Sequence, residues 1–547
     1  MPAAAAGLIL AAALPFRFKI TDRFSACKCL NHSGRILLLL ALLLTGARSP
    51  AALSAQSSLK ATAENVLNKL YLTNGNNLYL KPVVEIVNDE RHAAQFVRSR
   101  NSILLGKKTF EVCRVFGKDS LSALAFIIGH EMAHAFQVST RETSFLTYDK
   151  EKDMSTEAEN EADIQALFNT WLAGYNTLDL LPYLIEGIYV AYDLKRKEQD
   201  GYPTLEERKR SAREMLRVTG DLIRMFETGS YLSAIGHHDL AAACLRHVES
   251  RYKGREVYYQ LAVNLMLQAI NLSEKNVDPY IFAPELDGET RLKKPRAEGS
   301  ADLTPEQWQQ RGELLAGSAE YFALAVKMDG NYLPAETGYL CALILNAKAA
   351  EALAYAEQRE LMKKAGLPGA GAAEQEKLKL TLALGQAYNR NQEAFALLES
   401  LKSAADGFVK YAAGFNLEVL SGKAPVPREK AGCQFNFDTE ALIDNIQVQH
   451  PPNADWTLLD GVSGIETTTL ANPNSTLVVF RVNGRPRLNV QLIKKGNPVN
   501  MVSSDPYQNR TAGTRGFIEV CHSRQVAMAT GSAPGRTVAW IKYFAFE

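Results

Sequence analysis

The sequence predicts a multidomain protein with an amino-terminal α+β domain, a long helical region and a carboxy-terminal all-β domain. The chain has 547 residues, more than one hydrophobic core usually organises, since single cores rarely grow beyond about 250–300 residues. Strand-like and helical segments alternate up to about residue 200, helical periodicity continues to about residue 420, and strand-like segments follow. We therefore expect four segments, at residues 1–55, 56–215, 216–420 and 432–547.

The first of these segments has the composition of an export signal. A basic residue precedes nine apolar residues at 36–44, and small residues suited to cleavage follow near Ala51 and Ala55. Nine residues span only about 14 Å as a helix, so a permanent transmembrane anchor is not expected here. The mature chain would start near Gln56 and be periplasmic or secreted. Membrane association stays open, as does a cytoplasmic chain with an apolar amino-terminal segment.

The overall charge is nearly balanced, with 61 basic and 60 acidic residues and a formal net charge of +1. No run of like charge is long enough to act as a tail, so we expect no nucleic-acid partner. The hydrophobic content of 46% and the charged content of 22% are near globular averages. Most of the chain should therefore fold.

The seven cysteines are too few for a disulfide framework in a chain of this length. Cys433 and Cys521 bracket the carboxy-terminal domain and could pair in an oxidising compartment, although the sequence does not give their separation. Cys113, Cys244 and Cys341 each stand in an apolar run. We expect these three to be small buried hydrophobic residues.

The second segment has an α+β pattern. A helix is predicted at SLKATAENVLNKLYL, strands at PVVEIVND and NSILLGKKTFEVCR, and a further helix at LSALAFIIGHEMAHAFQ. Apolar residues at three- and four-residue spacing then predict helices at ENEADIQALFNTWLAGY and LLPYLIEGIYVAYDLKR. This domain should therefore close mainly with helices.

The helical region has a pattern typical of paired-helix repeats. Gly236, Ala241, Leu245 and Val248 have the spacing expected in the second helix of a tetratricopeptide unit. A similar pattern of small and apolar residues recurs at Phe322, Ala325, Tyr332 and Ala335. Leu384, Gly385 and Tyr388 have the pattern of a first helix of such a unit. Small residues let the paired helices pack closely, and each unit buries its apolar face against its neighbour. A generic helical bundle is the alternative.

A linker rich in proline and glycine, SGKAPVPREKAG, ends the helical region. Beyond it, TLVVFRVNGRPRLNVQLIKKG holds two strands around Asn483 and Gly484, a strong hairpin signal. GRTVAWIKYFAFE predicts a terminal strand. We expect a small β-sandwich or barrel, whose function these strands do not indicate.

The segment HEMAH can carry metal chemistry. On a helix, His130 and His134 are four residues apart and share a face, so their ring nitrogens can meet at one ion. Two imidazoles and one carboxylate leave a fourth position for water, the arrangement of a catalytic zinc site. Glu131 stands beside them and is the candidate general base for water attacking a peptide carbonyl. A hydrogen-bonded pair of core histidines is the alternative.

A third ligand is available in TEAENEADIQAL, which contains Glu157, Glu159, Glu161 and Asp163. Glu159 and Asp163 are four residues apart and share a face of the predicted helix. One of them can bind zinc while the other orients a histidine ligand, and Glu161 would point elsewhere. A solvated acidic helix face is the alternative.

HEMAH followed by an E-x-x-A-D segment, residues 159–163, resembles the HtpX, BepA and CAAX prenyl protease family of gluzincin metallopeptidases. The resemblance implies a zincin-like domain with one Zn²⁺ per chain, Glu159 as the third ligand, and Asp163 as a residue that orients the ligands. PVVEIVNDERHAAQFVRSRNSILLGKKTF resembles the family's two strands around an Ala-Phe pair. The second strand would be the edge on which an extended peptide lies.

GYPTLEERKR, with Tyr202, Pro203 and Arg208, resembles the family's His-Pro-x-x-x-x-Arg segment near the active site. Tyr202 replaces the usual histidine, although its hydroxyl could still donate to an oxyanion. The gap from His134 to Glu159 is too short for the membrane-spanning hairpin of HtpX-like members. A soluble, BepA-like arrangement is therefore expected, with the resemblance covering roughly residues 60–215 and, more loosely, the chain to 420.

These expectations combine into one hypothesis, an exported zinc endopeptidase that cleaves protein substrates in envelope quality control. The repeat surface would bind a protein partner or client. Two alternatives remain at this point. One is a tetratricopeptide scaffold or chaperone with a weak or inactive metal site, and the other is a structural metal or core cluster.

Overall fold

The structure is a computed structural model. It describes residues 52–75, 79–88, 93–140, 156–194, 204–272, 277–285, 303–366, 371–423, 446–449, 451, 454–460, 463–471, 475–494, 517–521, 525–530 and 537–546. The chain divides into two compact units, Met1–Ser57 and Ser58–Glu547. Of the first unit only residues 52–57 are described, so the predicted signal lies almost wholly outside the described residues. Within these ranges, no helix combines the length and the apolar character needed to cross a membrane.

The amino-terminal part of the second unit is an α+β structure, as predicted. Its strands are β1 (Val83–Val87), β2 (Ala94–Val97) and β3 (Ser102–Gly106). Its helices are α1 (Ala52–Asn74), α2 (Lys107–Arg114), α3 (Ser120–Thr140), α4 (Thr156–Leu172) and α5 (Leu181–Ala191), with short 3₁₀ turns at Arg98–Arg100 and Gly117–Asp119.

The three strands form a mixed sheet in the order β1-β3-β2. β3 lies in the middle, parallel to β1 and antiparallel to β2. The expectation that the second predicted strand is the edge was therefore wrong. The edge on the α3 side is β2, Ala94–Val97, which was not among the predicted strands. The apolar run of β3 is largely buried, and a central strand buries such a run while both of its edges are hydrogen-bonded.

The second predicted strand, NSILLGKKTFEVCR, is longer than the observed strand β3. Strand β3 ends at Gly106, and Lys107–Arg114 forms α2, in which Thr109, Phe110, Val112 and Cys113 are buried. Apolar residues at three-residue spacing suit a helix with one buried face. Thr109 on that face donates to the carbonyl oxygen of Ala93, next to β2.

Between Leu205 and Leu420 most of the described residues are helical, as predicted. Its helices are α6 (Leu205–Ala234), α7 (His238–Glu249), α8 (Arg255–Leu272), α9 (Pro305–Met328), α10 (Leu333–Leu345), α11 (Ala349–Gln358), α12 (Leu361–Ala365), α13 (Ala372–Tyr388), α14 (Glu393–Leu401) and α15 (Gly407–Leu420). Most of them pack on their neighbours in sequence. A capping box between Thr204 and Glu207 starts α6, and this helix runs without interruption through the domain boundary expected near residue 215.

The carboxy-terminal part is an all-antiparallel sheet. Its strands are β4 (Thr457–Asp460), β5 (Ile465–Ala471), β6 (Ser475–Val482), β7 (Arg485–Lys494), β8 (Phe517–Cys521), β9 (Val526–Thr530) and β10 (Thr537–Ala545). The order is β4-β5-β6-β7-β10-β9-β8. The hairpin at Asn483 and Gly484 is confirmed, with φ of 50° and 76° at the two loop residues, as a two-residue loop of mirror-image type requires.

The shape of this part differs from the expected sandwich or barrel. Among the described strands there is a single seven-stranded sheet, with β4 and β8 at its two ends. One face of the sheet joins the core shared by the α+β part and the first long helices, to which it contributes Val478, Phe480 and Val490. The helices cover the sheet face that a second sheet would cover in a sandwich.

The three predicted buried cysteines are confirmed. Cys113, Cys244 and Cys341 are free and buried, and burial raises the pKa of Cys113 and of Cys341 to about 12. Such thiols are inert at neutral pH. Cys433 and the side chain of Cys521 lie outside the described residues, so their pairing stays a prediction.

Replacing Gly338 of α10 by alanine should destabilise the helical region by about 1–3 kcal/mol. The added methyl group would collide with the fully buried ring of Phe322 in α9. The matched control is Gly312→Ala in α9, where a Cβ atom meets nothing within 4 Å, so that variant should be neutral or stabilised by up to about 1 kcal/mol. Urea unfolding followed by circular dichroism measures both variants. Equal stability would contradict the close packing of α9 against α10.

Candidate functional site

Two antiparallel helices carry the candidate site, and small residues allow them to pack closely. Ala158, Ala162 and Ala166 of α4 are spaced four apart and are buried, so they line one face of that helix. A Cβ atom at Gly129 of α3 would lie 3.5 Å from the Cα atom of Ala166. At the other end of the contact, Gln137 of α3 donates to the carbonyl oxygen of Ala158. Gly129 contacts Ala166, whereas Gln137, further along α3, contacts Ala158, which is earlier in α4. The two helices therefore run in opposite directions.

Three side chains converge between these helices. His130 and His134 project from one face of α3, and their Nε2 atoms are 3.0 Å apart. Glu159 of α4 faces both, with one carboxylate oxygen 3.4 Å from Nε2 of His130 and the other 3.3 Å from Nε2 of His134. Within the described part of the chain, these residues form a group whose ligand atoms all lie within 4.8 Å of one another.

Both histidines are oriented through their other ring nitrogen. Nδ1 of His130 is 2.9 Å from a carboxylate oxygen of Asp163, which has no exposed surface. Nδ1 of His134 is 3.0 Å from Oε1 of Gln137. Because both partners accept hydrogen bonds, each ring carries a proton on Nδ1 and turns Nε2 toward Glu159.

Arg208 supports the first of these contacts. It lies in the first turn of α6 and donates to both carboxylate oxygens of Asp163, from Nη1 at 2.5 Å and from Nη2 at 3.0 Å. Such a two-point contact fixes the plane of a carboxylate. Ser211, one turn later, donates to Asn160 of α4 at 2.7 Å. The start of α6 therefore holds α4, and Asp163 with it, in register with His130.

The protonation of the group reflects the carboxylates around it. Burial disfavours the charged form of His130, but hydrogen bonds to Asp163 and Glu159 outweigh burial and raise the pKa of His130 to about 10. Burial alone would raise the pKa of Glu159, but hydrogen bonds to the two imidazoles hold that pKa well below its ordinary value. Burial would also raise the pKa of Asp163, but Arg208 and His130 outweigh it and lower the pKa of Asp163 to about 2. The group attracts positive charge, which a metal cation can supply in place of a proton.

Glu131 lies beside the group and contacts the edge of the small sheet. One of its carboxylate oxygens accepts a hydrogen bond of 2.7 Å from the backbone N–H of Phe96. In an antiparallel pair, residues alternate between bonding to the neighbouring strand and facing away from it. Phe96 of β2 therefore directs its N–H away from β3 and toward α3.

A cavity of about 1100 Å³ opens beside the three converging side chains. His130, Glu131 and Glu159 line it together with Ala94 of β2. The apolar lining residues include Phe126, Ile127, Leu184, Ile185, Ile188 and Met215, and the further polar ones include Asn160, Glu207, Arg208, Arg210, Ser211 and Glu214. The cavity is large enough for several side chains of an extended peptide.

The donor set fits a divalent transition metal. Two imidazole nitrogens and one carboxylate are ligands that zinc binds, and three protein ligands leave a position open for water or substrate. Glu159 is partly exposed, at 42% of its side chain, and it lines the cavity together with His130. The three side chains would fit such an ion by their chemistry, their tautomers and their mutual distances.

The other predicted residues have different outcomes. Glu157 is exposed, and Glu161 accepts a hydrogen bond from Gln165, so neither joins the group. Tyr202 lies outside the described residues. Sequence reasoning missed the role of Gln137, and it placed Arg208 near the site without identifying its partner.

The chain matches no family model, no curated protein and no solved structure. The resemblance described above rests on HEMAH, the E-x-x-A-D segment and the neighbouring short motifs.

The Arg208→Leu variant should lower the free energy of unfolding by about 3 kcal/mol. Asp163 is fully buried and would lose its cationic partner. The double variant Asp163→Asn/Arg208→Leu removes the buried charge as well, so it should lose less stability than the single variant. Chemical denaturation of the metal-free proteins at pH 7 compares the three. If Arg208→Leu is as stable as the wild-type protein, the ion pair does not hold the site together.

Proposed function

We propose that the chain is a zinc-dependent endopeptidase of the gluzincin type that binds one zinc ion through His130, His134 and Glu159. The observation that carries this proposal is the convergence of the three side chains at a cavity that Glu131 also lines. On this proposal, the α+β part is a zincin-like domain and the helical region consists of tetratricopeptide-like repeats.

When bound, zinc would supply a Lewis acid that polarises a peptide carbonyl and makes water a better nucleophile. The side chains of the protein hold the reacting groups in place and transfer the proton of the water molecule. Glu131 accepts a proton from the attacking water and returns it to the leaving amine. The N–H of Phe96 holds one oxygen of Glu131 at 2.7 Å, so the other oxygen is available for the proton. Asp163 keeps the ring of His130 in place throughout.

An extended peptide is the substrate class that suits this site. Ala93 and Ala94 line the cavity together with His130 and Glu131. The backbone groups of Ala94 face away from β3, as those of Phe96 do, and can pair with a peptide as an added strand. Main-chain pairing selects an extended backbone more than a particular sequence. Unfolded or damaged proteins offer such segments, which supports quality control as the role. The predicted export signal and the family resemblance support the cell envelope as the compartment.

The helical region offers a separate surface for a protein partner or client. Most of its helices pack on their sequence neighbours, as in repeat arrays that build extended concave surfaces. α6 belongs to both parts, because Arg208 at its start contacts Asp163 and its last turns, including Leu232, are buried in the helical region. A client held by the repeats would therefore be close to the peptidase site.

The Glu131→Gln variant tests the proposal. Its amide oxygen can still accept from Phe96, but the side chain cannot take a proton, so cleavage of labelled casein by the zinc-loaded protein should fall at least about 100-fold. The amount of bound zinc should not change. Glu161→Gln is the matched control, because Glu161 contacts Gln165 rather than the site, and it should cleave at the wild-type rate.

Two results would count against the proposal. If Glu131→Gln cleaves casein as fast as the wild-type protein, Glu131 is not the general base. If the zinc-loaded wild-type protein cleaves no unfolded protein at all, the scaffold or chaperone hypothesis replaces the peptidase hypothesis.

A further inference from the structure

The two candidate histidine ligands have chemically different partners. His130 has a carboxylate, Asp163, whereas His134 has the neutral amide of Gln137. Gln137 lies one turn beyond His134 on α3, and its other amide atom, Nε2, donates to the backbone carbonyl of Ala158 at 2.9 Å. The amide therefore joins His134 to the helix that carries Glu159.

The contact with Ala158 determines which way the amide faces. A carbonyl oxygen can only accept a hydrogen bond, so the NH₂ group of Gln137 must point to Ala158. Oε1 must then face His134, and an oxygen can only accept. Nδ1 of His134 is therefore the protonated nitrogen, and its Nε2 presents a lone pair to the metal group.

We propose that Gln137 is a positioning residue for the metal site, which holds His134 in the tautomer and ring orientation needed to bind zinc. The inference rests on the proposed function in that zinc is taken as the ion. It goes beyond that function because it assigns to an amide outside the ligand set the role that Asp163 has for His130. Partners of this kind typically change metal affinity by about 10–100-fold when removed.

A neutral partner also limits the charge of the site. Glu131, Glu159 and Asp163 already place three carboxylates around the histidines, and Arg208 donates to both oxygens of one of them, Asp163. An amide at position 137 fixes His134 without adding a fourth carboxylate. His134 is thus oriented by geometry and hydrogen bonding rather than by an ion pair.

Two substitutions of Gln137 distinguish its hydrogen bond with His134 from its hydrogen bond to the carbonyl of Ala158. Gln137→Leu removes both hydrogen bonds, so zinc binding should weaken by about 10–100-fold. Gln137→Glu keeps an oxygen that accepts from His134 but loses the donor to Ala158, so it should bind zinc within about threefold of the wild-type protein. Gln165→Leu is the matched control on α4, because Gln165 contacts Glu161 and neither histidine.

Zinc affinity is measured by competition with a chromophoric chelator, and the absorption spectrum of bound Co²⁺ reports the ligand geometry. Circular dichroism and thermal unfolding of the metal-free variants establish that each is folded. Weak binding and an altered Co²⁺ spectrum in Gln137→Leu, with recovery in Gln137→Glu, would support the inference.

Three outcomes would overturn it. Wild-type affinity in a folded Gln137→Leu variant would mean that His134 needs no partner. Equal losses in Gln137→Leu and Gln137→Glu would mean that Gln137 acts only as a tie between α3 and α4. A wild-type protein that takes up no zinc would overturn this inference together with the proposed function, whereas a failure of the inference alone would leave zinc bound in the wild-type protein.

Discussion

The candidate site depends on the close antiparallel packing of α3 against α4. α3 supplies His130 and His134, while α4 supplies the third possible ligand, Glu159, and both anchors of the histidine rings. Asp163 holds His130 directly, and the carbonyl of Ala158 holds His134 through an amide. A shift of α4 by one residue would rotate its side chains by about 100° and separate all of these contacts at once. The buried alanines along α4 allow the close contact with α3 that keeps these side chains in place.

The cluster of His130, His134 and Glu159 could be predicted from the sequence because its geometry is local. His130 and His134 are one helical turn apart, and the acidic pattern around Glu159 needs only a helix to define its faces. The supporting residues could not be identified in the same way. Gln137 has no chemical signature until a carbonyl is placed opposite its amide, and the partner of Arg208 is 45 positions away in the chain. Long-range contacts of this kind depend on how the helices pack.

In the fold, too, local features could be predicted from the sequence and long-range ones could not. The hairpin at Asn483 and Gly484 was predicted because two residues determine it. The place of a strand in a sheet was not predicted, since a short apolar run identifies Ser102–Gly106 as a strand without indicating its neighbours. The edge proved to be Ala94–Val97, too short for its alternation to be recognised. Likewise, the helices that cover one face of the carboxy-terminal sheet are distant in sequence, so a sandwich was expected where a single sheet packs on helices.

The most direct test of the proposed zinc site is the zinc content of the purified chain by elemental analysis, with the His134→Ala and Glu159→Ala variants measured beside it. We expect one zinc per chain in the wild-type protein, loss of zinc in both variants, and retention of zinc in a Glu161→Ala control. A folded wild-type protein that holds no zinc after incubation with the metal would contradict the proposed site. Full zinc content in both ligand variants would contradict it equally.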